Sequence, residues 1–429
     1  MPTDIENVLV ANRGEIALRI FRACTELGIE TTGIYTWEDR LSQHRYKADR
    51  SYQVGEKGEP VAGYLDGDAI IELARRKGVD AIHPGYGFLS ENADFAQKVA
   101  DSDIRWIGPQ PEAMRKLGDK VTARRVAEEA GVPVVPGSEG TVRDVDEARE
   151  MAEEIGYPVL IKSAHGGGGR GMRVVEEPSR FEEAFDNAQS EAEAAFGSGA
   201  VFLERYIDRP RHIEIQLLGD THGNRVHFFE RDCSVQRRLQ KIVELAPAPN
   251  LDEEVRQQLY DYALDLADAV GYESAGTAEF LVEQRDGEVN IFFIEVNTRI
   301  QVEHTVTEMI TGYDLIKSMI RVAEGYELSD PEIDIAGQEV MERNGQAIQC
   351  RVTSEDPEND FAPDSGKIIN YRSGAGFGIR LDGSVGGTNA VVEPHFDSLL
   401  VKVSAWGRDL RDTIPRLRRS LAEFRVRGV

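Results

Sequence analysis

The chain has 429 residues, 41% hydrophobic and 29% charged, which suits a globular protein of two or three packed units rather than a fibre or a disordered tail. Its formal net charge of -26 argues against non-specific binding to nucleic acid or to an anionic membrane, and requires a local concentration of cations wherever an anionic substrate binds. No apolar run approaches about 18 residues, so no transmembrane helix is expected, and Met1-Pro2-Thr3-Asp4-Ile5-Glu6 lacks the regions of a signal peptide, so the cytoplasm is the expected location.

The first hundred residues alternate strands and helices. Residues 7–10 form a short apolar strand, 15–27 carry Ile16, Leu18, Ile20, Phe21 and Leu27 at helical spacing, and 31–35 are β-rich. The turn Ala11-Asn12-Arg13-Gly14 sits where helix N-terminal amides gather. A helix near 68–76, a strand at 81–82, a helix at 93–100 and a strand near 105–107 follow, predicting a doubly wound parallel α/β unit over 1–118.

A helix over 120–130 leads to the turn Gly131-Val132-Pro133. A compact segment of about 133–204 follows, with a strand at 159–162, a glycine cluster, a helix at 180–195 and an apolar strand at 200–203. Within the cluster His165-Gly166-Gly167-Gly168-Gly169-Arg170-Gly171, consecutive glycines let backbone amides approach phosphate oxygens, and Lys162 supplies countercharge. A glycine-rich hairpin without a ligand is the alternative. No Gly-Lys-Ser/Thr follows, so this is not the nucleotide-binding P-loop. Strands are expected at 213–218, 226–230, 278–282 and 291–296, in a unit that closes near 328. The remainder, 329–429, is strand-poor, then β-rich over 347–403, and ends in a basic helix at 410–424. The class is therefore α/β at the N-terminus and α+β overall. Cys24, Cys233 and Cys350 have no ligand spacing and read as buried small residues.

The most telling stretch is Ile294-Glu295-Val296-Asn297-Thr298-Arg299-Ile300-Gln301-Val302-Glu303-His304. Odd positions from 295 to 303 are polar or ionisable, and alternate residues of a strand share a face. Behind the apolar run Ile291-Phe292-Phe293-Ile294 such a face is costly unless a metal, a substrate or mutual pairing compensates it. A solvated edge strand is the bland alternative. In a straight strand Glu295 and Glu303 would lie about 26 Å apart, so a strand is expected to end near Asn297 and a turning loop to run through Val302. Glu279, read as ending an apolar strand, makes an oxygen-only set with Glu295 and Asn297 that suits Mg²⁺, although a lone strand-end Glu is ordinarily solvated. The cation-dense stretch from Arg231 to Lys241 reads alone as a solvated basic face. Glu303 has the chemistry of a general base.

The segment from Glu295 to His304 resembles the active-site signature of biotin carboxylases, a branch of the ATP-grasp enzymes, and the resemblance runs from Val8 to the end. It implies an N-terminal α/β domain, an ATP-grasp domain with a mobile lid and a β-rich C-terminal domain. It also implies ATP contacts at Lys120, Lys162, the glycines 166–169, Glu204, Ile207, His212 and Gln236, and magnesium ligands at Glu279, Glu295 and Asn297. Bicarbonate would meet Lys241, Arg299, Gln301 and the backbone at Val302, with Glu303 as base. Tyr86, in the second signature His83-Pro84-Gly85-Tyr86-Gly87-Phe88-Leu89-Ser90-Glu91-Asn92, and Arg351 would face biotin. The implied reaction is carboxylation of carrier-borne biotin, using ATP, Mg²⁺ or Mn²⁺, and bicarbonate. Implied partners are a biotin carrier, a carboxyltransferase and a second copy of the chain.

Within the family, His44-Arg45-Tyr46-Lys47-Ala48-Asp49 and Thr353-Ser354-Glu355-Asp356-Pro357 look most like the biotin carboxylase domain of pyruvate carboxylase. The chain stops at Arg427-Gly428-Val429, short of the usual domain end, and carries no Met-Lys-Met biotinylation motif, which is expected of a fragment or a truncated subunit. Leu239 stands where the family commonly has His, so one contact to the nucleotide is lost or replaced, and His165 stands where a small residue is usual. Two alternatives remain open at this point: another ATP-grasp ligase acting on a different carboxylate, and an ATP-binding module without turnover.

Overall fold

The computed structural model describes residues 2–138, 140–163, 172–196, 198–285, 287–384 and 387–429. The N-terminal unit is a parallel sheet of β1 (Asn7–Val10), β2 (Glu30–Tyr35), β3 (Arg50–Gln53), β4 (Ala81–His83) and β5 (Arg105–Trp106). Its strand order is β3-β2-β1-β4-β5, the doubly wound pattern expected. The order reverses at β1, so the crevice beyond the C-terminal ends of β1 and β4 is where such folds gather ligands. There Asn12 donates from Nδ2 to the carbonyls of Pro84 and Tyr86, both at 2.7 Å, binding the two loops together. The turn at residues 11–14, between strand and helix, thus fixes the loop that carries Tyr86 through the Asn12 side chain. Asn92 closes that loop by capping the helix Ala93–Ala100, its Oδ1 accepting from the Phe95 amide at 2.8 Å.

A small antiparallel sheet follows, of β6 (Val159–Ser163), β7 (Met172–Val175) and β8 (Val201–Arg205), in the order β7-β6-β8. The helices Val145–Ile155 and Phe181–Phe196 cover it and share their own core, built on Phe181, Phe185, Ile161 and Leu203. A separate core is what lets such a segment keep its shape as a unit. His165 and the glycines Gly166, Gly167, Gly168 and Gly169 lie outside the described residues.

The largest sheet has eight antiparallel strands: β9 (Arg211–Gly219), β10 (Arg225–Arg237), β11 (Gln240–Ala246), β12 (Ser274–Arg285), β13 (Glu288–Asn297), β14 (Gln346–Thr353), β15 (Ile379–Gly383) and β16 (Leu399–Gly407). The order is β13-β12-β9-β10-β11-β14-β16-β15, so the β11–β14 ladder carries one hydrogen-bonded sheet across residue 328, where the sequence suggested a boundary. On β9, Ile213, Ile215 and Leu217 enter a core with the helices Pro111–Gly118, Lys120–Glu129 and Glu253–Ala269, leaving His212, Glu214 and Gln216 on the opposite face. A second core joins the helices Gly14–Leu27 and Leu315–Glu324 to the sheet through Leu218, Phe228 and Ala275.

Two readings of the sequence change here. Glu279 does not end a strand; it sits mid-way along β12, hydrogen-bonded on both sides. The cation-rich stretch is two paired strands rather than a solvated face, because Arg238 and Leu239 form a two-residue hairpin turn with φ of 51° and 67° that folds Lys241 back beside Gln236.

Burial holds the imidazoles of His44, His83 and His227 below their ordinary pKa. Burial lowers the imidazole pKa of His83 from 6.5 to about 3 and of His227 to about 4, the latter helped by Arg343. His44 also falls to about 4, burial outweighing the attraction of Asp39. Between these values and 6.5 the unfolded chain binds protons that the folded chain does not, so stability must fall as pH drops through that window. Urea denaturation at pH 7 and at pH 4.5 is expected to show this loss. His83→Gln should flatten it by about 1.4 kcal/mol per pH unit.

Candidate active site

The site grows from sheet register. Residues directly opposite in antiparallel strands share a face, and here Arg231 on β10, Glu214 on β9, Glu279 on β12 and Glu295 on β13 stand in one row across four strands. Three adjacent carboxylates repel one another unless cations intervene. A register shift between the Glu279 and Phe280 pairs makes Ile294 the extra residue, so Phe293 and Val296 both stay in the helical core while Glu295 and Asn297 face the row.

Lys241, on the neighbouring β11, compensates the row. Its ammonium lies 2.9 Å from Glu279 Oε1 and 2.9 Å from Glu303 Oε1, and pairs with Glu214 as well. Burial disfavours this charge, but Glu214, Glu303 and Glu279 raise its pKa well above the ordinary lysine value. His212 donates from Nε2 toward Glu279 at 2.7 Å and lies 3.3 Å from Glu214, and these partners lift it from 6.5 to about 10 against the effect of burial. Arg231 is fully buried, 3.2 Å from Glu214, and donates to Gln216 at 2.7 Å and to Thr277 at 3.1 Å.

The strand ends at Asn297 and the helix His304–Thr311 begins seven residues on, with the expected turn between them. That turn brings Glu303 back to the row instead of leaving it far away. Its carboxylate accepts from Lys241 and lies 3.3 Å from Arg351 Nη2. Burial would raise the Glu303 pKa, but Lys241, then Arg351 and Arg231, hold it below the ordinary carboxylate value. Arg351 also donates from Nε to Glu244 at 2.6 Å. Arg299 lies 3.0 Å from Glu91 of the loop after β4 and donates to Asn297 Oδ1 at 2.6 Å. The Gln301 side chain donates to Glu279 at 2.8 Å and accepts from Arg231, so its amide group is committed within the protein. The carbonyl of Val302 accepts from Lys402 at 2.9 Å.

The residues expected around a nucleotide are partly assembled. Lys162 on β6 pairs with Glu204 on the adjacent β8, and Ile207 is buried beside Val135 and Phe292. Lys120 opens the helix Lys120–Glu129 and lowers the pKa of Glu295, against burial and the Glu279 charge, which raise it. Gln236 bonds to the Cys233 carbonyl at 3.0 Å. Leu239 is 52% exposed at its hairpin turn, an apolar tip where a hydrogen-bonding side chain was expected.

Magnesium fits this donor set, since Glu279 and Glu295 are cross-strand partners that offer only carboxylate oxygens; burial first, and then the Glu279 charge, raises the Glu295 pKa. Asn297, expected as a third ligand, has its oxygen engaged by Arg299 and its Nδ2 donating to Glu279 at 2.7 Å.

Sequence reasoning missed Glu214, Arg231, Glu244, Glu91 and the pair Glu15–Lys402. Glu214 carried a usable signal, since His212, Glu214 and Gln216 alternate with Ile213, Ile215 and Leu217 just as residues 295–303 do. The others are single charges whose partners are distant in sequence.

Three family models match the chain: the biotin carboxylase N-terminal domain over residues 4–114, the ATP-binding domain of the carbamoyl-phosphate synthase L chain over 119–331, and the biotin carboxylase C-terminal domain over 349–429. Mitochondrial pyruvate carboxylase of Homo sapiens is 55% identical over 425 residues, covering 99% of this chain and 36% of that protein. Pyruvate carboxylase of Bacillus subtilis is 52% identical, covering 99% of this chain and 37% of its own length. The chain therefore spans little more than a third of the curated relatives it matches. Among solved structures, the biotin carboxylase domain dimer of Hydrogenobacter thermophilus 2-oxoglutarate carboxylase, solved with MgADP, ADP and bicarbonate, superposes with a TM-score of 0.93 at 44% identity, covering 100% of this chain and 92% of that one. Rhizobium etli pyruvate carboxylase, solved with acetyl coenzyme A, gives a TM-score of 0.93 at 50% identity over 100% of this chain and 38% of its own. A shared fold over a whole domain, at this identity and with the signature turn in its expected place, shows that the chain belongs to the biotin carboxylase family.

Proposed function

We propose that this chain catalyses the ATP-dependent carboxylation of biotin by bicarbonate, as the first half-reaction of a pyruvate carboxylase. The observation that carries this is the Glu303 carboxylate, kept ionised between Lys241 and Arg351 at the end of the Glu214–Glu279–Glu295 row. That carboxylate lies next to cations, and beside it runs a row of carboxylate oxygens, which supports a base and a metal site there. Glu279 and Glu295, with Asn297, would hold magnesium, which would supply charge neutralisation of the triphosphate.

Bicarbonate binds against Lys241, Arg299 and the backbone of Gln301 and Val302. Its hydroxyl proton passes to Glu303 as its oxygen attacks the γ-phosphorus, the bond to the β-phosphate oxygen breaks, and carboxyphosphate and ADP form. Carboxyphosphate breaks down to CO₂ and phosphate. The phosphate takes the N1 proton of biotin, and the resulting enolate, stabilised by the Arg351 guanidinium, attacks CO₂. Tyr86 lines the biotin side, while Lys120, Lys162, Glu204, Ile207, His212 and Gln236 form the nucleotide side. The lid at about 133–204 closes over the phosphates. The likeness to pyruvate carboxylases supports a carrier domain and a carboxyltransferase as partners, with pyruvate as final acceptor, and the dimer of the Hydrogenobacter domain supports self-association.

The deciding experiment measures ADP release from the chain with ATP, Mg²⁺ and bicarbonate, with and without free biotin. Biotin-stimulated release with carboxybiotin formed is expected. ATP binding without biotin-dependent release would refute the assignment in favour of a silent nucleotide-binding module.

Three variants test the roles. Glu303→Gln should lower kcat by about 10²–10⁴-fold while ATP binding, read by calorimetry, stays intact. Lys241→Met strands three carboxylates and should cost the metal-free chain about 3–5 kcal/mol in urea denaturation, with part of the loss restored by added magnesium. Leu239→His supplies a donor at the nucleotide side and should lower the KM for ATP about fivefold.

A further inference from the structure

A buried chain of charges lies behind the signature turn and takes no part in the reaction steps above. Lys402, on β16 directly opposite Arg351, has no exposed surface. Its Nζ donates to the Val302 carbonyl at 2.9 Å and lies 3.0 Å from Glu15 Oε1. The same Glu15 oxygen accepts the hydroxyl of Tyr86. Glu15 comes from the first turn of the helix Gly14–Leu27, so this one carboxylate joins the N-terminal unit, the loop after β4 and the C-terminal strand. Burying an ammonium completely is costly, and a bare apolar pair of the same size would fill the space at lower cost.

What the charged pair does that an apolar pair cannot is hold a carbonyl. On the other side of Val302, His304 Nδ1 lies 2.6 Å from the Gln301 carbonyl. A carbonyl only accepts, so Nδ1 carries the proton. Burial, with Lys402, Arg19 and Arg380 nearby, keeps this ring neutral. The two peptide groups that meet at Val302 are thus both pinned by their oxygens, and neither is cis. In a trans peptide the N–H points away from its own C=O, so the amide of Val302 is aimed away from His304 and that of Glu303 away from Lys402.

Building on the biotin carboxylation proposed above, we propose that Glu15 and Lys402 are positioning residues. One buried ion pair sets the backbone at Val302, on the bicarbonate side, and the phenol of Tyr86, on the biotin side, in a single register. The two reactants are thereby placed relative to each other, while the nucleotide side is left alone.

The test uses the full chain with Lys402→Met, Glu15→Gln and the double variant, which removes the stranded charge left by either single change. ADP release is followed while bicarbonate, biotin and ATP are varied in turn. In variants with the parent circular dichroism spectrum, the KM for bicarbonate should rise about tenfold in Lys402→Met and in the double variant, while the KM for ATP stays within about twofold. Glu15→Gln should raise the KM for biotin several-fold. Combined with Tyr86→Phe it should cost less than the product of the two single effects, because both act through one hydrogen bond. A folded double variant with unchanged KM for bicarbonate and biotin overturns the proposal. So does an equal rise in all three KM values, which marks a general loss of packing. Should neither Lys402 variant fold, the Glu15–Tyr86 cycle decides alone, and strictly multiplicative effects overturn the proposal. A parent chain without biotin-stimulated ADP release instead refutes the reaction assignment, and is seen before any variant is made.

Discussion

Glu214, Glu279 and Glu295 lie side by side on adjacent strands because sheet register leaves them nowhere else to go, and each would repel the next in a medium drier than water. The ammonium of Lys241 reaches Glu214 and Glu279 in this row as well as Glu303 from the turn. Remove that cation and the row, the turn and the β10–β11 hairpin lose their common partner. The arrangement is stable because Arg231 and His212 share the work, while Glu295 ends the row with its pKa raised by burial and then by Glu279. A protein selected for stability alone would fill this space with apolar side chains. Retaining the charges makes sense where a triphosphate, a divalent cation and a small anion must be bound in turn.

The same logic reconciles the acidic chain with anionic substrates. A net charge of -26 repels ATP at long range, yet salt screens that repulsion beyond about 10 Å. Close in, the substrates would meet Lys120, Lys162, Lys241, Arg299 and Arg351, drawn from five separate segments. Several of these cations are already paired with carboxylates, Lys162 with Glu204 and Arg299 with Glu91, so binding exchanges partners rather than desolvating bare charge.

The alternation in residues 295–303 was legible because a strand followed by a turn still writes period-two spacing into the chain. The phase of that alternation was less so. The apolar run from Ile291 to Ile294 hides a bulge that flips which residues face the core, and nothing in four consecutive apolar side chains marks which one is the extra. Glu279 was recognised as important but misplaced at a strand end, since a carboxylate in mid-strand is tolerable only when cations from other segments meet it. The hairpin turn at Arg238 and Leu239 escaped notice because neither residue is among those that favour a left-handed backbone.

Local chemistry determined much in the sequence alone: the doubly wound start and the turn after Asn297 follow from short-range patterns of polarity and spacing, while the metal and base roles of Glu279, Glu295, Asn297 and Glu303 are expectations that rest on family resemblance and side-chain chemistry. The tertiary structure decided which charges meet. Arg351 reaches Glu303 across 48 positions and Lys402 reaches Val302 across 100, through a ladder between β11 and β14 that joins two apparent units into one sheet. Contacts of that separation are set by strand order and register. Those are properties of how elements pack, and no window of sequence around a single charged residue contains them.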